Sequence, residues 1–243
     1  MISIDTVYQK VLAIANKEQR GYITPQEFNL LAEQAQMLIF EQYFYDLNQF
    51  NRAGGNGMEY GDMMNILEEK ISLFENYNQD FASTTANRGK LPADCYRLGQ
   101  VQFGIFNGAN VVVEKLNIKD LNQILNTALT APTLTRPVYI RSKTTSYDIE
   151  LYPTTFSANN RMNDVTINYV RQPLVPKWTY TIVNEQALYN GSAADKQDFE
   201  LHPSDQEDLV YKILELSGII MNKPGLVQLA DKEEMQGVQN EKM

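Results

Sequence analysis

The sequence predicts an α+β protein: a helical bundle with one long helix, plus a β-rich domain of antiparallel strands. Three observations carry this. Apolar residues recur at helical spacing through the first 74 positions. From Leu91 the repeat shortens towards two, in short segments bounded by Pro, Gly and Asn. A helical repeat returns after a start signal at Ser204. Residues 1–85 together with 203–243 are therefore assigned to the helical domain. Residues 86–202 form the β-rich domain, with an extended arm around 172–201.

The first helix is expected over residues 5–18, capped by Asp5 or Thr6, with Val7, Val11, Ile14 and Ala15 along one stripe. It ends in NKEQRGYITPQEF, which resembles a calcium-binding EF-hand loop with Gly21 sixth and Glu27 twelfth. The other ligand positions hold Asn16, Glu18 and Arg20. Asn16 offers one neutral carbonyl, and Arg20 carries a positive charge and no acceptor. A capping box explains the stretch better: Thr24 at the N-cap, Pro25 in the first helical position and Glu27 reaching back, after a helix stop at Gly21.

The second helix is predicted from Pro25 to about Gln49. Phe28, Leu31, Ala35, Leu38 and Ile39 make one apolar face; Leu30, Met37, Phe40, Phe44 and Leu47 make another. A helix apolar on two sides is buried on two sides, and the second face is assigned to a subunit contact. RAGGNG is a loop, and Glu59–Phe74 a third helix with Met63, Ile66, Leu67, Ile71 and Phe74 inward. The polar FASTTANRGKLP stretch marks a domain boundary.

Two short strands flank FNGAN, and a short helix covers NIKDLNQILNTAL. PVYIRSK, SYDIELYP and DVTINYVRQP follow as strands, the last two alternating as half-buried antiparallel strands do. Residues 172–201 carry the lone Trp178, with a short strand around Trp178–Val183. Ser204–Glu207 reads as a second capping box, and Leu209, Ile213, Leu216 and Ile220 face inward until NKPG. Pro224 can restart a helix before a loose tail.

Composition narrows the function classes. Hydrophobic residues make up 43%, so the chain is globular, and no apolar run approaches the ~20 residues that span a bilayer. The N-terminus lacks the marks of a signal peptide, and one cysteine argues for synthesis in a reducing compartment. Thirty acidic and 21 basic residues give a net charge of −9, which opposes tight nucleic-acid binding without excluding a surface past which DNA slides.

Catalytic chemistry finds little support. His202 precedes Pro203 at a helix entry, where a capping role is common, and Cys95 reads as a half-buried structural thiol. Glu68–Glu69 and Glu233–Glu234 are adjacent pairs pointing apart. Asp148 and Glu150 share a strand face, about 7 Å apart, and are the one pair a glycan hydrolase could use. No phosphate loop, dinucleotide fingerprint, nucleophile elbow or CxxC pair is present. No catalytic residue, cofactor or metal is assigned.

Four stretches together carry a resemblance: VYQKVLAIANKEQRGYITPQEFN, LAEQAQMLIFEQYFYDLNQF, INYVRQPLVPKW and DFELHPSDQEDLVYKILELSGI. They are similar to the neck and tail ring proteins, the head-to-tail adaptors, of crAss-like and related short-tailed bacteriophages, over nearly the whole chain. The resemblance implies a virion protein made in the host cytoplasm and assembled as a ring, usually twelvefold, beneath the portal. Its partners would be its own copies, the portal or adjoining tail rings, and DNA passing through without sequence-specific binding, with no membrane and no active site. The second face of the long helix and an arm carrying Trp178 and Tyr180 are the expected assembly surfaces. A calcium-binding helix-loop-helix module at 16–27 and a virion-associated glycan hydrolase are the alternatives.

Overall fold

The computed structural model describes residues 1–17, 23–53, 58–85, 87–104, 110–142, 147–154 and 165–220. In chain order the elements are α1 (Ile4–Lys17), α2 (Pro25–Ala53), α3 (Met58–Ser72), β1 (Glu75–Asp80), β2 (Ala82–Thr85), β3 (Arg88–Lys90), β4 (Cys95–Gly104), β5 (Asn110–Val112) and β6 (Glu114–Leu116). They continue with α4 (Ile118–Leu125), β7 (Val138–Arg141), β8 (Ile149–Tyr152), β9 (Val165–Arg171), β10 (Tyr180–Val183), β11 (Gln186–Tyr189) and α5 (Gln206–Ile220). The protein is a mixed α/β chain with antiparallel-rich sheets, compatible with the α+β class.

Two compact units emerge, and their borders differ from the expected ones. The first comprises Met1–Leu73 and Pro173–Met243, the second Phe74–Gln172. The FASTTANRGKLP stretch is therefore no boundary: it contains the β2–β3 hairpin of the second unit, with Phe81 buried before it. The arm after Gln172 belongs to the first unit, for reasons given below.

In the first unit α2 packs on α5 and α3, and α1 packs on α5. The α1 stripe is Ile4, Val7, Tyr8, Val11 and Ala15, all buried, whereas Ile14, expected on it, is only half-buried. The capping box forms as expected. The Thr24 amide donates to Glu27 Oε2 at 2.9 Å, and the Glu27 amide donates to Thr24 Oγ1 at 3.3 Å. The Thr24 amide and then the Thr24 hydroxyl, both donating to the charged form, hold the Glu27 carboxyl below its ordinary value. On α5 Leu209, Val210, Ile213, Leu214, Ser217 and Gly218 are buried, while Leu216 is only half-buried and the side chain of Ile220 lies outside the described residues. A 3-10 turn over Pro203–Asp205 precedes α5, and its cap is His202: Nδ1 accepts the Ser204 amide at 3.3 Å. The expected Ser204 cap is displaced because the Ser204 hydroxyl is engaged with His202 Nδ1 and Asp205. Gly21, the centre of RAGGNG and the segment from NKPG onward lie outside the described residues, whereas Arg52 and Ala53 still belong to α2.

In the second unit one sheet runs β1-β9-β4-β5 and the other β2-β3-β8-β7-β6. They share a core of Phe81, Val101, Phe103, Tyr139, Ile149, Leu151, Val165, Ile167 and Tyr169. Strand β9 shows the expected alternation, with Val165, Ile167 and Tyr169 inward. One pairing departs from the antiparallel expectation: β6 and β7 are parallel, joined through α4 as a strand-helix-strand crossover. Helix α4 packs through Leu121 on Val138 and Ile140, the opposite side of β7 from Tyr139.

Gly89 in β3 lies directly under Phe81. A Cβ there would sit 2.0 Å from Phe81 Cε1, inside the ring's van der Waals envelope. Gly89→Ala should therefore destabilise the second unit by about 1–3 kcal/mol through overpacking. Urea denaturation checks this, and restoration by a second change, Phe81→Leu, would confirm the clash as the cause.

Candidate functional site

Trp178 is the organising residue of the arm. Asn29 on α2 clamps its backbone from both sides: the Trp178 amide donates to Asn29 Oδ1 at 2.8 Å, and Asn29 Nδ2 donates to the Trp178 carbonyl at 3.1 Å. The indole Nε1 donates to Asp5 on α1 at 2.9 Å. The ring lies 4.5 Å from Tyr8 and is stacked at 5.7 Å with both Tyr180 and Tyr189. At 2% exposure Trp178 is an internal anchor, not the partner-facing one the sequence suggested. A buried indole must find an acceptor for its N–H, and here the chain itself provides it.

Seven residues along α2, Gln36 makes a second clamp. Its Nε2 donates to the Leu174 carbonyl at 2.8 Å, and its Oε1 accepts the Glu200 amide at 3.2 Å. Glu200, also buried, accepts the Leu174 amide at 2.8 Å. Phe199 pairs with Ile2, and Asp198 accepts the Ile4 amide at 3.0 Å. These bonds bind the arm to α1 and α2. They went unnoticed in the sequence because an Asn and a Gln at i and i+7 look the same whether they face water or a backbone.

The second face of α2 divides. Phe40 is fully buried and Phe44 nearly so, both used by the chain's own packing, with their rings edge to face at 5.1 Å. Met37 and Leu47 are half-buried, and Leu30 is 70% exposed. Leu30, Met37, Leu38 and Tyr45 leave one narrow outward stripe, so the two-sided burial predicted from MLIFEQYFYDL is met largely from inside.

The arm's outermost part is the β10–β11 hairpin. Its register is Tyr180↔Tyr189, Thr181↔Leu188, Ile182↔Ala187 and Val183↔Gln186. Tyr180, half-buried, and Tyr189 rest on Trp178 at the base, while Ile182 is 72% exposed and Val183 and Leu188 about half exposed towards the tip. Asn184 and Glu185 close the hairpin with φ of 49° and 64°, the left-handed pair that a two-residue turn of this hand requires. Glutamate pays a steric cost there that glycine avoids. Glu185→Gly should stabilise the hairpin by about 1 kcal/mol, read as slower amide exchange of Val183 and Gln186, the hydrogen-bonded pair that closes the turn.

A buried charge cluster sits deeper in the same unit. Lys70 Nζ lies 2.7 Å from Asp205 Oδ1, the Tyr43 hydroxyl donates to Asp205 Oδ2, and all three side chains are buried. Asp205 Oδ1 also accepts the Ser204 hydroxyl at 3.2 Å. The cluster ties α2, α3 and the start of α5. Lys70 takes the inward place that the sequence gave to Ile66, which is exposed instead.

No family model matches the chain, and no curated protein matches it. Asp148 accepts the Leu91 amide at 3.1 Å, and Glu150 pairs with Arg88 at 3.2 Å, whose guanidinium stacks 4.5 Å above Tyr147. Both carboxylates thus hold the fold of β3 and β8. Burial pushes the Cys95 thiol up, opposed in part by Arg141, which disfavours the reactive thiolate. Glu27, the key oxygen ligand of an EF-hand, is engaged in the capping box, while residues 18–22 of that loop lie outside the described residues. Among the described residues no group of three or more His, Cys, Asp or Glu is placed to hold a metal, and no helix is long and apolar enough to cross a membrane.

Proposed function

We propose that this chain is a structural ring protein of a bacteriophage neck or tail, a head-to-tail connector without enzymatic activity. In this reading the helices of the first unit form a bundle around the long α2, and copies close into a ring beneath the portal, twelve if the portal's symmetry is matched. The ring continues the DNA channel, retains the packaged genome and releases it at infection.

The observation that carries the reading is the β10–β11 hairpin. A two-stranded ribbon is marginal alone, and this one is fixed at its base by Trp178 while its tip offers Ile182, Val183 and Leu188 to solvent. An exposed apolar tip of this kind fits a contact with another chain. The sequence resemblance supplies the context, and the charge of −9 is compatible with DNA passing without counterion-release binding.

Quantitative mass spectrometry of purified particles of the source phage tests it. A copy number equal or nearly equal to that of the portal is the expected result. Absence of the chain from the particle would overturn the reading.

A further inference from the structure

Immediately after β11 the arm turns through Asn190, Gly191 and Ser192. Asn190 ties this turn to the Trp178 mount. Its amide donates to the Thr179 carbonyl at 2.9 Å, and its carbonyl accepts the Thr179 hydroxyl at 2.7 Å and the Ala193 amide at 3.4 Å. Its side chain reaches forward over the turn, where Oδ1 accepts the Ser192 amide at 3.3 Å. Gly191 is exposed, and among the described residues nothing accepts its N–H.

We propose that Asn190–Gly191 is a site of spontaneous covalent modification, at which the Asn190 side-chain amide becomes a carboxylate through a cyclic imide. The Gly191 nitrogen attacks Asn190 Cγ and closes a five-membered ring. The N–Cγ bond forms as the Cγ–Nδ2 bond breaks, and the proton lost from Gly191 leaves with Nδ2 as ammonia. Water then opens the ring at either carbonyl. Opening at one leaves aspartate at position 190. Opening at the other leaves isoaspartate, in which the main chain runs through Cβ and Cγ. The sum is amide plus water to acid plus ammonia, with no oxidant or enzyme.

Three observations select this pair. The nucleophile is a main-chain N–H that no protein acceptor holds, so it can pass its proton to water. The Ser192 amide donates to Oδ1 and stabilises the charge that gathers there as Cγ is attacked. Gly191 has no side chain to shield its nitrogen or restrict its approach. Asn184, the other asparagine of the arm, is followed by Glu185 and lacks that last feature. The two other Asn-Gly pairs, at 56–57 and 107–108, lie outside the described residues.

The product changes the mount. In isoaspartate the former main-chain carbonyl becomes a free carboxylate, and the chain detours around it. The bonds that this carbonyl accepts from Thr179 and Ala193 lose their geometry, so the hairpin is loosened where it meets Trp178. This holds whether or not the chain forms a ring.

The test ages the full chain for days in warm, mildly alkaline buffer, then maps it against fresh chain by trypsin digestion and mass spectrometry. Cleavage after Lys177 and Lys196 releases one peptide holding both Asn184 and Asn190. Conversion at Asn190 roughly tenfold above that at Asn184, with isoaspartate in excess of aspartate, is expected. Conversion no greater than at Asn184 overturns the proposal, and so does aspartate without isoaspartate, which would mean direct hydrolysis. Gly191→Ala should cut conversion roughly tenfold. The mapping decides without this variant should its Cβ, 3.1 Å from Tyr189 Cε1, disturb the mount. The isoaspartate form, separated on anion exchange by its added negative charge, should exchange the Val183 and Gln186 amides several-fold faster than fresh chain. Asn190→Asp, with the charge but an ordinary main chain, should exchange them at close to the fresh rate. Equal exchange in the isoaspartate form would overturn the loosening of the mount.

Discussion

Lys70→Ala will cost the helical unit about 3–5 kcal/mol, because it leaves the Asp205 carboxylate buried without its counter-charge. The Lys70 and Asp205 side chains are 10% and 3% exposed, so water cannot replace the lost ammonium without opening the junction of α2, α3 and α5. A second variant separates the worth of the pair from the penalty of breaking it. Lys70→Met with Asp205→Leu and Tyr43→Phe removes the charges and the hydroxyl that would otherwise be stranded, and should recover most of the loss. Urea denaturation followed by Trp178 fluorescence reads both, since the only tryptophan lies in this unit. A loss below about 1 kcal/mol for Lys70→Ala would mean that the pair is solvated.

Trp178→Ala is the second large effect, about 3–5 kcal/mol, and it is a folding effect before it is a binding one. The indole fills the space between Tyr8, Tyr180 and Tyr189 and donates to Asp5. Trp178→Phe keeps much of the apolar area but drops the Nε1 bond, so it should fall between wild type and alanine. Far-UV circular dichroism during thermal unfolding measures the series. If Trp178→Ala left stability intact and weakened assembly alone, the ring would have to be exposed in the free chain, contrary to its burial. The same loss of the platform would loosen the hairpin, so any assembly defect of this variant must be read beside Val183→Asp, which sits on the opposite face of the ribbon from Tyr180 and Tyr189.

Much of the fold was legible because local pattern and tertiary packing agree. The α1 stripe, the Thr24–Glu27 box, the β9 alternation and the half-buried Cys95 all follow from neighbours within a few residues. The misplaced features depend on partners far away in sequence. Lys70 is inward only because Asp205, 135 residues later, meets its charge. The arm joins the helical unit because Asn29 and Gln36 bond backbone groups more than 130 residues on. Phe40 and Phe44 looked like surplus apolar surface until the chain's own packing accounted for them. The β2–β3 hairpin was hidden in a polar stretch with no alternation to reveal it.

The two amide clamps have an evolutionary consequence. Asn29 and Gln36 grip N–H and C=O groups that every residue other than proline possesses, so their hold is largely indifferent to the side chains borne by Leu174, Trp178 and Glu200 at those points. Trp178 then fixes the hairpin's base, and the tip beyond it contributes nothing to that attachment. Residues 181–188 can therefore diverge quickly while the mount stays constant. A lineage could exchange one neighbour for another by rewriting a few tip residues, much as a tool is changed on an unchanged handle.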